Sequence, residues 1–521
     1  MTERSLRLVG VLAPTPRRAT STNIQYSIFI SQSQNVRYNM GLDEGRIEQI
    51  VEIVVARLQQ QGADLRGPDA VPSRPDGLMD GVFQEMDECI QAASKAQKKL
   101  VALPLAVREN VIQAIREVGL THANEYAQME FEETGLGKAE DNAKKNQAAC
   151  RVMGMEDLNP EVFSGDKGVT IIERIPVGVI ASINPVTNGS PTILFNAVMM
   201  LAGGNAVVNN PHPKTRSVAA RVIRDLNKAI VAAGGPPNCV CCLKEPSVPS
   251  AQTLMTHPKI KLIAVTGGHG VVAFATQTGK RVIAGGPGNP PVVVDETADL
   301  DRAARCIIEG ASFSHCMACA SEKEIFVVES VADQLKANLK KYGAYEISAA
   351  QSKQLLKHIF NEIKGPGEPG VINMDYIGRS PAFILKSIGL DVGAEAQIVI
   401  LEAHKNHPLV WTEQIMPVLP FVRCRNVDEA IEAALAAEQG NGHTMAIHSN
   451  SIKNIKKMTN RAKCAAFVKN GSCGLASVGV AGEGYTSFHI ATNGEGQTRP
   501  RMFTLVRRCA LADDFRYRYG G

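Results

Sequence analysis

The sequence predicts an α/β protein built on open parallel sheets, and three observations carry that expectation. Strand-like runs alternate with helical patterns from Ile172 to Glu296, which argues for a parallel sheet covered on both faces. A second α/β region follows, from Leu300 to about Ile490. The chain's 521 residues exceed what one small core holds, so two or three domains are expected.

Taken in order, residues 1–40 mix Arg, Ser, Thr and Gln without a period and read as a disordered extension. A transit peptide, or a translation start at Met40, are the alternatives. Residues 41–62 read as one amphipathic helix: Ile47, Ile50, Val51, Val54 and Leu58 form a single apolar stripe. Residues 63–77 carry Gly67, Pro68, Pro72, Pro75 and Gly77 with almost no large apolar residue, and read as a linker. A short helix on such a leash must dock, on this protein's body or on a partner.

The first α/β block spans 78–295. Helical patterns run from Phe83 to about Asn146. The run Ile172–Asn184 reads as one strand, Pro191–Leu201 as a helix and Asn205–Asn210 as a strand. Thr215–Ala233 reads as a long helix, Cys239–Leu243 as a strand and Val248–Met255 as a short helix. Ile260–Gly268 is then a strand, Gly270–Thr278 a helix, and two further extended runs end near Glu296. The second block is 296–490. In 491–521 the run Arg501–Leu511 has one apolar face and suits a strand that extends a sheet across a subunit contact.

Composition narrows the function classes. The 56 basic and 52 acidic residues nearly cancel, with no long basic run among aromatics, which leaves nucleic-acid binding without support. No apolar run approaches the roughly 18 residues of a membrane helix. The 12 cysteines read as mostly reduced thiols in so long a chain, not as a disulfide framework.

Three local patterns carry chemistry. Thr266-Gly267-Gly268 closes a strand before a helix, where backbone can approach a phosphate; easing a tight turn is the alternative. In Asn210-Pro211-His212-Pro213 two prolines flank a histidine at a strand end, giving a rigid edge for a ring or ribose, or a mere turn. Cys319 sits in a small-residue turn between a helix and a strand. There substrate can reach the thiol, and local dipoles are expected to lower its pKa from about 8.5. Cys306 falls in a helical pattern and Cys239, Cys241 and Cys242 in a strand, so these read as core cysteines. Cys316 and Cys319 also make a C-x-x-C spacing, open to coincidence or to a protective disulfide.

From about residue 77 to 515 the chain resembles the aldehyde dehydrogenase superfamily, and within it the coenzyme A-acylating enzymes of bacterial microcompartments, of the ethanolamine- and propanediol-utilisation kind. The matching stretches are EETGLGKAEDNAKKN (132–146), PVGVIASINPVTN (176–188), GGNAVVNNPHPKT (203–215), VTGGHGVV (265–272), AGGPGNPPVVVDETADL (284–300), CASEKEIFV (319–327), HPLVWTEQIMPVLP (407–420), GHTMAIHS (442–449) and FVKNG (467–471). The resemblance implies two α/β domains plus a small bridging sheet through which a homo-oligomer forms. It implies NAD as cofactor, coenzyme A as co-substrate and a short-chain aldehyde as substrate.

Cys319 matches the nucleophile, and Asn188 the amide that holds the oxyanion together with the Cys319 N–H. Thr266, Gly267 and Gly268 match the dinucleotide turn, and Glu413 the carboxylate on the nicotinamide ribose. His443 and His448 are candidates to assist proton transfer, with a structural role as the simpler reading of each.

Three departures matter. Hydrolytic relatives carry a water-activating Glu in an E-L-G-G-K run, where this chain has Gly285. Thiol transfer is therefore expected over hydrolysis, with an acid-producing dehydrogenase as the alternative. Asn210 replaces a Lys at the adenine end, which fits a site that NAD and coenzyme A occupy in turn. Met317-Ala318 stands where close relatives have Pro before the nucleophile. The helix at 43–61 also resembles the family's encapsulation peptides, which implies a shell or cargo partner and a place in a microcompartment lumen.

Overall fold

The computed structural model describes residues 80–513 except Pro366 and Asn493. Residues 1–40, the amphipathic segment at 43–61, the linker and residues 514–521 lie outside the described residues.

Two all-parallel sheets organise the described chain. The first has six strands in the spatial order Val82–Phe83, Val240–Leu243, Ala206–Asn210, Val179–Ile183, Ile260–Thr266, Arg281–Gly285. The second has seven: Ala344–Ile347, Ile398–Glu402, Val418–Cys424, Glu324–Val328, Pro291–Val294, Thr444–His448, Ala466–Lys469. Val179–Ile183 and Ala206–Asn210 are buried at every position, as strands covered on both faces must be. The helix Gly189–Ala202, apolar nearly all round, is buried throughout and packs with Leu105–Thr121 and Arg216–Ala232 on one face. Met86–Ala102 and Val248–Thr256 cover the other.

The chain moves outward from Val179–Ile183 in one direction, then returns to its opposite side at Ile260–Thr266. That reversal opens a crevice beyond the carboxyl ends of these strands, the usual place for ligands in such sheets. Helix Ala123–Thr134 braces it. Glu130 accepts hydrogen bonds from the Gly189 and Ser190 N–H groups, both at 2.9 Å. Glu133 does the same for Ser217 and Val218. One helix thus supplies the carboxylates that cap the N-termini of two others.

One expected element divides. Ile172–Asn184 is not a single strand: Gly168–Pro176 and Val179–Ile183 belong to different sheets. Gly178 turns between them with φ of 122°, a conformation that disfavours a side chain. The Asn205 side-chain oxygen accepts from the N–H groups of Val177 (2.7 Å) and Gly178 (3.0 Å) and pins the bend. Gly168–Pro176 instead forms the middle of a three-stranded antiparallel sheet, between Glu161–Gly165 and the C-terminal strand Thr504–Ala512.

Candidate active site

The site lies between the carboxyl ends of the first sheet and the amino ends of the second. After helix Leu300–Ser312 the chain passes through Ser314, His315 and Cys316, with φ of 49°, 53° and 59°. A left-handed L-residue costs of order 1–2 kcal/mol, so such a turn survives only where its surroundings over-determine it. Here they do. Asp141 accepts from the Ser314 N–H (2.9 Å) and Asn142 from its hydroxyl (3.0 Å). The buried Lys323 ammonium donates to the carbonyls of Ala318 (2.9 Å) and Ser321 (3.2 Å). A Cβ at Gly137 would come within 2.3 Å of the Ser314 hydroxyl, so that position has room only for glycine.

This turn presents Cys319. Its Sγ lies 3.2 Å from His443 Nε2, and the other ring nitrogen of His443 lies 2.8 Å from the Thr444 hydroxyl. His443 immediately precedes a second-sheet strand, and Glu438 accepts from its backbone N–H at 2.9 Å. The expectation of a lowered Cys319 pKa is corrected. Burial pushes the thiol up to about 11, Glu413 adds to the rise, and Lys323 opposes it. The same burial, with Lys323 and His489 nearby, brings His443 down to about 3. At neutral pH the resting pair is thus thiol and neutral imidazole, a nucleophile beside its base. His448 ends the strand that His443 precedes, roughly 16 Å away at about 3.3 Å per residue, and takes no part in this contact.

Cys316 faces elsewhere. Its Sγ lies 3.4 Å from the Glu322 carbonyl and 3.4 Å from the Lys323 ammonium, and burial raises its pKa. Both cysteines of the C-x-x-C spacing are free thiols.

The link between the two sheets, Gly285 to Pro291, runs directly past the nucleophile. A Cβ at Gly288 would lie 2.7 Å from the Cys319 carbonyl and 2.8 Å from the His443 ring. The Gly288 N–H donates to Glu413 at 3.2 Å, which fixes that carboxylate beside the turn; burial lifts its pKa to about 7. At Gly285 a Cβ would meet the His489 ring at 3.0 Å. His489 is buried, and neither ring nitrogen is hydrogen-bonded among the described residues. It fills the space that a longer side chain at 285 would enter.

Three adjacent strand ends of the first sheet gather the remaining expected residues. Thr266-Gly267-Gly268 closes the strand before helix His269–Gln277, and a Cβ at Gly268 or Gly270 would meet nothing within 4 Å. The helix N-terminus has no side-chain cap, so its N–H groups are open to an anion. Asn210 ends the strand Ala206–Asn210, which lies on the other side of Val179–Ile183, and Pro211 and His212 follow it. The Asn210 side chain is committed to holding Ser250 (2.6 Å) and Ser247 (3.3 Å), and His212 accepts from the Lys214 N–H at 3.1 Å. These contacts hold the edge rigid.

Asn188, after the central strand, lines a cavity of about 430 Å³ together with Cys319, Lys145, Phe313, Val478 and Phe488. The structure therefore brings Cys319, Asn188 and Glu413 together, with the Thr266 turn and the His212 edge along the crevice. Lys145, Lys323 and His489 were not legible as site residues. Lys145 lies on Ala139–Ala149, a helix with no apolar stripe that nonetheless buries Asp141, Asn142, Lys145 and Asn146. A helix polar all round inside a globular domain was the available signal.

The aldehyde dehydrogenase family profile matches residues 79–349, and the chain belongs to that family. Within it, the chain is 43% identical over 480 residues to the acetylating acetaldehyde dehydrogenase EutE of Salmonella typhimurium, covering 91% of this chain and 100% of the relative. It is 38% identical to the CoA-propanoylating propanal dehydrogenase of the same organism, covering 87% and 96%. Among solved structures, the Rhodopseudomonas palustris propionaldehyde dehydrogenase with bound CoA and an acylated cysteine superposes with a TM-score of 0.80 at 39% identity, over 83% of this chain and 98% of that one. A propionaldehyde dehydrogenase from the Clostridium phytofermentans fucose utilisation bacterial microcompartment gives the same TM-score and identity over 83% and 99%.

Proposed function

We propose that this protein oxidises a short-chain aldehyde to its acyl-CoA, using NAD and coenzyme A and carrying the acyl group as a thioester on Cys319. One observation carries the reading: Cys319 shares a cavity with Asn188 and has His443 3.2 Å from its sulfur, while Gly285 offers no side chain to activate water.

The residues present fit a dinucleotide. The uncapped helix N-terminus behind Thr266-Gly267-Gly268 suits its phosphates, the Pro211–His212 edge its adenosine end, and Glu413 the nicotinamide ribose. When bound, NAD supplies the hydride acceptor and coenzyme A the thiol that takes up the acyl group. His443 accepts the Cys319 proton as sulfur adds to the aldehyde carbon. Asn188 and the Cys319 N–H hold the resulting oxyanion. Oxidation leaves a thioester on Cys319, which lasts because no base stands at residue 285 to direct water onto it.

With aldehyde and NAD but no coenzyme A, about one NADH per active site should form in a burst before slow turnover. Sustained fast turnover would point to the hydrolytic alternative. Gly285→Glu should lower the melting temperature, because His489 occupies the space, and leave NADH formation CoA-dependent. The double variant Gly285→Glu/His489→Ala should raise CoA-independent turnover, and equal behaviour of the two variants would discount His489 as the obstacle.

The three-stranded antiparallel sheet exposes Val162 and Leu505 on one face and Phe163 and Val506 on the other, apolar area that suits homo-oligomer pairing. The amphipathic stripe at 43–61 suits docking to a microcompartment shell or cargo protein, which would place the enzyme in the lumen. Deleting residues 1–62 should leave aldehyde kinetics within about twofold and abolish co-purification with shells. Joint loss of activity and thermal stability would assign that helix to the enzyme body.

A further inference from the structure

Lys145 is a buried cation that the reading above does not use. It is 3% exposed, on helix Ala139–Ala149. Among the described residues its ammonium has one hydrogen-bond partner, the Thr187 carbonyl at 3.5 Å, next to Asn188. The Phe313 ring lies beside it, 5.9 Å from nitrogen to centroid. The two carboxylates that act on it, Asp141 and Glu130, are engaged with other groups. Asp141 binds the Ser314 N–H and Lys144, and Glu130 binds Gly189 and both the N–H and hydroxyl of Ser190. Lys145 makes no ion pair among the described residues, yet it lines the cavity shared by Cys319 and Asn188.

A buried ammonium with unused donors is costly unless something charged arrives. In this cavity the charge that arrives is the one the reaction creates. We propose that Lys145 is a catalytic residue, a third donor to the thiohemiacetal oxyanion alongside Asn188 and the Cys319 N–H, and the charge partner of the Cys319 thiolate. The proposal rests on the reading of Cys319 as the nucleophile. In the step concerned the S–C bond forms, the carbonyl π pair moves onto oxygen, and the thiol proton passes to His443. Lys145 keeps its own proton and acts by charge and hydrogen bonding.

Burial lowers the Lys145 pKa to about 8, while Glu130, Asp141 and Cys319 hold it up. Lys138, Lys144 and Glu309 also line the cavity. The charge should therefore fade over the mildly alkaline range.

The test compares alkylation of Cys319 by anionic iodoacetate and neutral iodoacetamide, followed by mass spectrometry of the Cys319 peptide. The ratio of the two rates cancels the thiolate fraction and reads positive charge beside sulfur. Lys145→Met should lower the ratio about tenfold, and Lys145→Gln by a similar factor. In the wild-type enzyme the ratio should itself fall as pH rises from about 7 to 9.5. Catalysis supplies an independent readout: kcat/KM for the aldehyde should fall about 10²–10³-fold in both variants, the loss seen when one oxyanion donor is removed. A ratio that is flat with pH in the wild-type enzyme, or unchanged in a folded Lys145 variant, overturns the proposal. Failure of the underlying reading is separate, since it would appear as NADH formation surviving Cys319→Ala.

Discussion

Cys319→Ala should reduce NADH formation by at least about 10³-fold while the protein stays folded, because no second sulfur occupies its place. The expectation rests on orientation. Cys319 Sγ is 3.2 Å from His443, whereas Cys316 Sγ points to the Glu322 carbonyl and the Lys323 ammonium. Cys316→Ala removes a buried sulfur but no partner of the reacting atoms. It should cost some stability and keep activity within about tenfold of wild type. Steady-state NADH formation with coenzyme A present, read beside a thermal melt, separates the two variants. A dead Cys316→Ala and an active Cys319→Ala would reverse the assignment.

The second large effect is expected at His443. A thiol raised to about 11 is almost wholly protonated at neutral pH, so the reaction depends on a base within reach. Removing it in His443→Ala should lower kcat/KM by about 10²–10⁴-fold near neutrality. The variant should then recover as pH rises, close to tenfold per pH unit, until the thiol ionises unaided. His448→Ala should show no such profile. A His443→Ala enzyme with wild-type rates and a flat pH profile would remove the imidazole from the mechanism.

The same histidine bears on stability, with a definite sign. Folded His443 stays neutral down to about pH 3, while the unfolded side chain takes up a proton near 6.5. The unfolded state therefore binds more protons in that window. The contribution of neutral His443 is complete above about 6.5 and is lost progressively as pH falls toward 3. His443→Ala should make unfolding less acid-sensitive over that range.

Much of the fold was legible because its signals are local. The helix Arg216–Ala232 follows from apolar side chains three or four apart along one face, and the strand Ala206–Asn210 from a short β-branched run between turn residues. The break at Gly178 was missed although Pro176 and Gly178 interrupt the run Ile172–Asn184; the Asn205 contacts and the competing antiparallel sheet are what turn that interruption into a change of sheet. In the site, Cys319, Asn188, Glu413 and the Thr266 turn were named from ordered motifs, and the structure sets them along one crevice. The direction of the Cys319 pKa was misjudged, because it depends on burial by distant elements and on Glu413, neither of which a local turn encodes.

The amino-acid sequence by itself determined the alternation of strands and helices, the run of family motifs and the glycine at 285, since each is written in neighbouring residues. Only the tertiary structure decided that His443 meets a sulfur 124 residues away, that His489 fills the space beside Gly285, and that Lys145 is buried without an ion pair among the described residues. Those are facts about what surrounds a side chain. Surroundings are a sum over remote segments, and they set both distance and desolvation.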